Sequence, residues 1–134
     1  MAETQIRVVM QALERVSEQV IKKIALDIVA NLSRAPQEGG TPVDTGWARA
    51  NWLATVSVSS KDVAGTAENV SAAVSEQQAG LGRLLAYRLA AGPVFISNNV
   101  PYILRLNEGS SAQAPAGFVQ KAIQEAVTGL RIVA

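Results

Sequence analysis

The sequence predicts an α+β fold, in which a long N-terminal helix and a C-terminal helix pack on a mostly antiparallel β-sheet. Apolar residues recur every three or four positions over Thr4–Leu32, which is the period of one face of a helix. The same period returns over Phe118–Val127. Between them, Trp52–Ser59 alternates in the manner of a strand with one buried face. At 134 residues, the chain is expected to form a single domain spanning residues 1–134.

The first helix is predicted to be amphipathic and to face the core. Its apolar stripe consists of Ile6, Val9, Leu13, Val16, Val20, Ile24, Ile28 and Leu32. The opposite face mixes both signs of charge, which favours a core-facing helix over a membrane-surface helix. Ser33–Gly40 is predicted to be an exposed loop, because Pro36 breaks the helical hydrogen-bond ladder and Gly39–Gly40 is flexible.

A turn between Thr41 and Trp52 is predicted to join this helix to the sheet, and it contains both tryptophans. Asp44 or Thr45 is expected to accept hydrogen bonds from the free amides of a short helix near Gly46 to Asn51. The two tryptophans are expected to anchor the turn to the core. The residues of this structural turn are Pro42, Asp44, Thr45, Gly46, Trp47 and Trp52.

The middle of the chain is poor in large apolar residues. We expect a strand over Trp52–Ser59 and a second strand over Asn69–Val74. A mobile loop is predicted at Glu76–Gly80, with Gly80 and Gly82 as a hinge. Helical spacing of leucines then predicts a short helix over Leu81–Ala91.

The C-terminal part is predicted to contain one strand and two helices. Val94–Asn98 is rich in β-branched and aromatic residues, which favours a strand. Tyr102–Asn107 is expected to form a short helix that Gly109 ends. After a small-residue loop at Ser110–Ala114, Pro115 is expected to start the last helix. Leu130–Ala134 is predicted to be a frayed end or a short added strand.

The composition excludes several classes of site. The chain has no cysteine and no histidine, which removes disulfides, thiol nucleophiles, the usual zinc sites and every mechanism that uses a histidine base. We expect no cofactor. A net charge of +1 gives no general attraction to nucleic acid or to an anionic membrane. No apolar run is long enough to cross a membrane, and the first residues lack the pattern of a signal peptide, so export by the general route is not expected.

Asp44-Thr45-Gly46 supports a second hypothesis, which is the catalytic loop of a dimeric retroviral-type aspartic protease. Two such loops would share one proton between their carboxylates. Proteases of this kind consist almost entirely of strands, whereas this chain has several helical patterns. The sequence therefore favours a capped structural turn over an enzyme.

Three arginines could form a basic surface for nucleic acid or for a neighbouring subunit, with Tyr87 and Tyr102 nearby. These arginines are Arg83, Arg88 and Arg105. The alternative is that they are ordinary solvated side chains, which is the favoured interpretation.

Three segments in the same order resemble the tail-completion (neck, or minor tail) proteins of long-tailed bacteriophages. Pro42–Gly46 reads Pro-Val-Asp-Thr-Gly and precedes a short helix with Arg49, which is similar to the signature loop of that family. Pro101–Gly109 resembles the family's tyrosine-led helix that ends in Glu-Gly, and Ala114–Ala126 resembles its closing loop and helix. The middle of the chain, Lys61–Gly92, carries no motif of the family.

The resemblance implies a structural virion protein without catalytic activity. Such a protein forms a homo-oligomeric ring at the head-tail junction, between the connector or head-completion proteins and the tail-terminator or tail-tube proteins, and DNA passes through its lumen. It is made in the host cytoplasm and ends in the virion, with no membrane partner. Ser33–Gly40 and Glu76–Gly80 are expected to contact neighbouring subunits. A tail terminator and a minor capsid protein remain alternatives.

Overall fold

The structure is a computed structural model that describes residues 2–43, 45–109, 113 and 116–130. This part of the chain forms five α-helices and a two-stranded antiparallel sheet, so the predicted α+β class is confirmed, with helices far outweighing the sheet. The helices are α1 (Ala2–Ser33), α2 (Trp47–Ala50), α3 (Val70–Leu85), α4 (Ile103–Asn107) and α5 (Phe118–Thr128). The strands are β1 (Leu53–Val56) and β2 (Val94–Ser97). Short 3₁₀ turns lie at Pro36–Glu38 and Leu89–Ala91.

Helix α1 extends beyond the part of the protein against which it packs. Its 32 residues span roughly 48 Å, whereas a small domain is about 30 Å across. Every residue from Ala2 to Val16 is exposed, while Ala25, Val29 and Leu32 are buried. The second half packs chiefly on α5. The helix is therefore confirmed, but its core-facing role is limited to the second half.

The two strands form a sheet in which β1 packs on α3 and β2 contacts α1. They pair antiparallel, with Leu53 opposite Ser97 and Val56 opposite Val94. β1 is shorter than predicted because Ser57 adopts a left-handed conformation (φ 76°), which a strand cannot accommodate. Its amide instead donates to the carbonyl of Pro93 at 2.8 Å.

The main element in the middle of the chain is α3; two predictions there are wrong, and a third is confirmed only in part. The strand expected at Asn69–Val74 is replaced by the start of α3, and the mobile loop expected at Glu76–Gly80 lies within α3. The helix expected over Leu81–Ala91 is present over residues 81–85, as the end of α3. The small residues of this segment suggested a loop, but in the structure they allow the helix to approach the sheet closely. A Cβ on Gly80 would lie 2.9 Å from the backbone nitrogen of Ala54 in β1. Gly80 therefore allows α3 to pack closely on β1, and it is not a hinge.

Two glycines of α3 provide a matched test of this close approach. We expect Gly80→Ala to destabilise the protein by about 1–3 kcal/mol, because the new methyl group overlaps the backbone of β1. Gly82 has no atom within 4 Å of an added Cβ, so Gly82→Ala should stabilise the helix by up to about 1 kcal/mol. Urea unfolding of both variants measures the difference. Equal effects would contradict the packing described for α3.

The segment after α1 forms a turn held by backbone hydrogen bonds, which the sequence did not predict. The amide of Gly39 donates to Pro36 O at 3.0 Å, and the amide of Gly40 donates to Ala35 O at 3.1 Å. Gly40 is buried, and a Cβ there would meet the carbonyl oxygen of Arg34 at 1.7 Å. The two glycines thus permit a tight, hydrogen-bonded turn, and the prediction of an exposed loop is wrong for Gly40.

Arg34 joins the end of α1 to α5. Its Nη2 donates to Glu125 Oε2 at 2.6 Å, and this hydrogen bond holds the pKa of Glu125 below its ordinary value of 4.5. The positive charges of Arg34 and Lys121 act in the same direction, and partial desolvation opposes them. A carboxyl group with a lowered folded-state pKa stabilises the fold above its unfolded pKa, and that contribution is lost as the pH falls through the folded value.

The Arg34→Gln substitution should therefore reduce stability near neutral pH, and its effect should shrink as the pH falls below 4.5. Lys121→Gln is the matched control, because Lys121 lies 3.9 Å from the same carboxylate and makes the weaker contact. Its effect should be smaller. Urea midpoints measured at several pH values test this, and a penalty for Arg34→Gln that does not change with pH would contradict it.

Candidate functional site

Thr41 closes the loop that follows α1 and is fully buried. Its hydroxyl donates to Leu32 O at 2.7 Å and accepts from the indole Nε1 of Trp52 at 2.8 Å. Its backbone amide also donates to Leu32 O, at 3.0 Å. One hydroxyl therefore pairs with the carbonyl of Leu32 near the end of α1 and with the only polar side-chain atom of Trp52, and it connects the start of the turn to its end.

Asn51 is the second buried polar residue of the turn. Its Nδ2 donates to Trp47 O at 2.9 Å and to Ala64 O at 3.0 Å, and its Oδ1 accepts from Ala64 N at 2.7 Å. The indole Nε1 of Trp47 donates to the same carbonyl of Ala64 at 2.9 Å. A side-chain amide and an indole thus hold the backbone of Ala64 in the way that a neighbouring strand would.

The predicted cap of the turn is present in part. Thr45 Oγ1 accepts from the amide of Trp47 at 3.3 Å, a long hydrogen bond to an exposed side chain. Gly46 has φ 89°, a conformation that L side chains rarely adopt, and this explains the glycine before α2. Pro42 is buried. Asp44, the residue on which both the capping and the protease hypotheses depend, lies outside the described residues.

The three segments that carry the phage resemblance meet in one hydrophobic cluster. Ala48 of the short helix that follows Gly46, Ile103 of α4 and Phe118 of α5 belong to the same buried cluster. The rings of Trp47 and Tyr102 make an edge-to-face contact with centroids 6.1 Å apart. Residues separated by more than 60 positions in the chain therefore form one continuous core.

Asn107 connects the second of these segments to the third. Its side-chain Oδ1 accepts from the amide of Val119 at 3.0 Å, and its carbonyl accepts from the amide of Gly117 at 2.7 Å. Its Nδ2 donates to Gln120 Oε1 at 3.0 Å. The first turn of α5 is thereby capped by a residue of α4, since two amides that the helix leaves free find acceptors there.

Gln113 contacts the turn from the other side. Its Oε1 accepts from Val43 N at 2.9 Å and its Nε2 donates to Val43 O at 2.7 Å. With Pro42, Trp47 and Tyr102, Gln113 and Val43 line a recess of about 80 Å³. This is well below the roughly 300 Å³ of a small-molecule pocket. We therefore interpret the recess as a packing contact between the turn and Gln113, and not as a ligand-binding site.

Two of the three arginines considered for a basic surface, Arg83 and Arg88, have intramolecular partners. Arg83 donates from Nη1 to Ala54 O at 3.0 Å and lies 3.8 Å from Glu76. The Nε atom of Arg88 lies 3.6 Å from Glu18 Oε1. Arg105 is exposed on α4. These residues stand on α3, after α3 and on α4, and nothing in their contacts joins them into one patch.

Sequence reasoning missed the polar residues that hold the turn together, which are Thr41, Asn51 and Asn107. One signal for Asn51 was its position between apolar neighbours, Ala50 and Trp52. A polar residue in such a run is either exposed or paired internally.

Among the described ranges, no group of three or more acidic side chains is arranged to hold a metal ion. Within the same part of the chain, no helix is long and apolar enough to cross a membrane. The chain matches no protein-family model, no curated protein and no solved structure.

Proposed function

We propose that this chain is a structural protein of the phage neck, which forms a ring at the head-tail junction and completes the tail for joining to the connector. One observation carries the proposal. The three segments that resemble the tail-completion family are distant in sequence, yet their residues Ala48, Ile103 and Phe118 pack in one cluster. The three segments therefore belong to one packed unit, which is what a common structural role for them requires.

The composition of the core also favours assembly into a ring. Small residues such as Ala48, Ala73 and Ala122 occupy much of the described core, and each buries little apolar surface. Burial between subunits would add the stability that such a core lacks. In the proposed subunit both terminal helices lie on the sheet, and their free surfaces face the neighbouring copies.

Electron microscopy of the purified protein tests the proposal directly. We expect negatively stained images to show closed rings, and we expect the rings to bind assembled tails or DNA-filled heads of the phage. A tail terminator would bind only to tails, and a minor capsid protein only to heads. Binding to neither particle would overturn the neck assignment.

The Asp44→Asn substitution separates this proposal from the protease hypothesis. A capping aspartate can be replaced by asparagine with little loss, since both residues cap well. We expect the variant to fold and to assemble like the wild type, and neither protein to cleave casein. Casein cleavage that Asp44→Asn abolishes would overturn the structural assignment.

A further inference from the structure

The exposed first half of α1 carries an apolar ridge that nothing in the described chain covers. The ridge consists of Ile6, Val9, Met10, Leu13 and Val16, whose exposed fractions lie between 45% and 61%. Scattered apolar residues are normal on a surface, but a continuous apolar stripe of this kind marks a contact site.

The spacing of the ridge is that of a helix that packs against other helices. Ile6, Val9, Leu13, Val16 and Val20 follow one another in alternating steps of three and four. This is the a and d pattern of a heptad repeat. In the packed half of α1, the apolar residues Val20, Ile24, Ile28 and Leu32 are each four positions apart. The positions that flank the heptad seam are uncharged, and they are occupied by Gln5, Met10, Ala12 and Ser17.

An apolar groove of about 330 Å³ lies on the body of the same chain. Two helices form its walls and a strand contributes to its floor. Ile21, Ile24 and Ile28 line it from α1, Val119 and Ile123 line it from α5, and Ile96 lines it from β2. All of its lining residues among those described are apolar. A groove between two helices is a surface into which the side chains of a third helix can pack.

The ridge cannot reach the groove of its own chain. α1 is continuous from Ala2 to Ser33, and the groove uses the second half of that same helix, so the first half extends away from it. A second copy can supply the ridge without this constraint. Neither the heptad seam nor the groove contains a charge, so their contact would leave no charged group desolvated and unpaired.

We propose that the ridge of one copy lies in the groove of the next, and that this head-to-tail contact builds the ring. The inference rests on the proposed function for the existence of a ring. Because ridge and groove are different surfaces, the contact is heterologous, and it produces a ring when the rotation between copies closes.

The size of the contact favours a ring over a pair. The stretch from Ala2 to Val16 is roughly 22 Å long and 12 Å wide, so half of its surface is about 400 Å². One contact would then bury at most about 800 Å² in total, which is below the roughly 1,200 Å² of a stable pair. In a closed ring each copy makes two such contacts, once with its ridge and once with its groove, and the ring is correspondingly more stable.

Four substitutions in the full chain test the contact by analytical ultracentrifugation. Leu13→Asp charges the ridge, and Gln11→Asp is its control on the opposite face of α1. Ile123→Asp charges the groove, and Gln124→Asp is its exposed neighbour on α5. We expect the wild type and both controls to assemble. We expect Leu13→Asp and Ile123→Asp to remain monomeric at concentrations at least tenfold above the wild-type transition.

Circular dichroism must show that each variant is folded. Leu13 is 61% exposed, so its substitution removes little internal packing. If Ile123→Asp does not fold, Ile123→Gln decides the result, because glutamine is polar but favours the helix.

Three results would overturn the inference. The first is an assembled Leu13→Asp variant. The second is a monomeric Leu13→Asp variant beside folded Ile123 variants that still assemble, which would indicate that ridges pair with each other. The third is a wild type that stays monomeric. Two further outcomes separate this inference from the proposed function. If rings form through both surfaces but bind neither heads nor tails, only the proposed function is contradicted. If rings bind phage particles and tolerate Leu13→Asp, only this inference is contradicted.

Discussion

The Asn51→Asp substitution is expected to destabilise the protein by about 3–5 kcal/mol at neutral pH. Asn51 is fully buried, and its Nδ2 donates to the carbonyls of Trp47 and Ala64. A carboxylate in its place would be buried and would face two carbonyl oxygens with no proton to offer. Since the free energy of unfolding of a folded protein is only about 5–15 kcal/mol, this substitution removes a large part of it.

The penalty should be smaller at acidic pH. A protonated carboxyl can donate one hydrogen bond to a carbonyl and carries no buried charge. The unfolded chain ionises first as the pH rises, so the penalty grows above the pH at which a free aspartate ionises. Urea unfolding at acidic and neutral pH, followed by tryptophan fluorescence, measures both effects.

Asn99→Asp is the matched control for this prediction. Asn99 also donates from Nδ2 to two carbonyls, those of Ser60 at 2.9 Å and Asp62 at 3.3 Å, but it is exposed. Water can solvate the new carboxylate there, so we expect a loss below about 1 kcal/mol. A similar loss for the two substitutions would show that the burial of Asn51 is not what makes it important.

The Thr41→Val substitution is expected to cost about 2–3 kcal/mol. Valine has nearly the shape of threonine but cannot accept the hydrogen bond from the Trp52 indole, which would leave a buried N–H group unpaired. The carbonyl of Leu32 would keep the backbone amide of residue 41 as a donor. The cost therefore arises mainly at Trp52, and its fluorescence should report the change.

Thr41→Ser and Thr45→Val are the controls for the hydroxyl group. Serine keeps the hydroxyl and should retain most of the stability. Thr45 is exposed and accepts only the 3.3 Å hydrogen bond from Trp47, so Thr45→Val should cost less than about 1 kcal/mol. Calorimetric or urea unfolding compares the three, and a Thr41→Val variant as stable as Thr45→Val would refute the role given to the Thr41 hydroxyl.

Periodicity predicted the elements whose apolar residues are large. The spacing of Ile and Leu residues located α1 to within two residues of each end, and the run from Val94 located β2. Residues 70–80 of α3 were missed because the buried residues there are Ala73 and Gly80, which carry little or no side chain. The spacing of large apolar residues cannot predict a helix that packs on the sheet through small residues.

The candidate site was predicted in its location but not in its chemistry. The sequence placed both tryptophans in the turn and expected them to be anchored in the core, and Trp52 is buried there. It could not indicate that Asn51 reaches Ala64, because that hydrogen bond spans 13 residues and depends on how the chain returns after β1. Long-range pairing of polar groups leaves no local period in a sequence.

The length of α1 has a consequence for how quickly its amide hydrogens exchange with solvent. Its first half makes no tertiary packing that buries a residue before Ser17, and an isolated helix of about 15 residues is only marginally stable in water. The hydrogen bonds of that half should therefore open independently of global unfolding in an isolated subunit, whereas those near Val29 should open only with it. A single unbroken helix would then show two widely different exchange rates, and binding of another molecule over the first half would remove the difference.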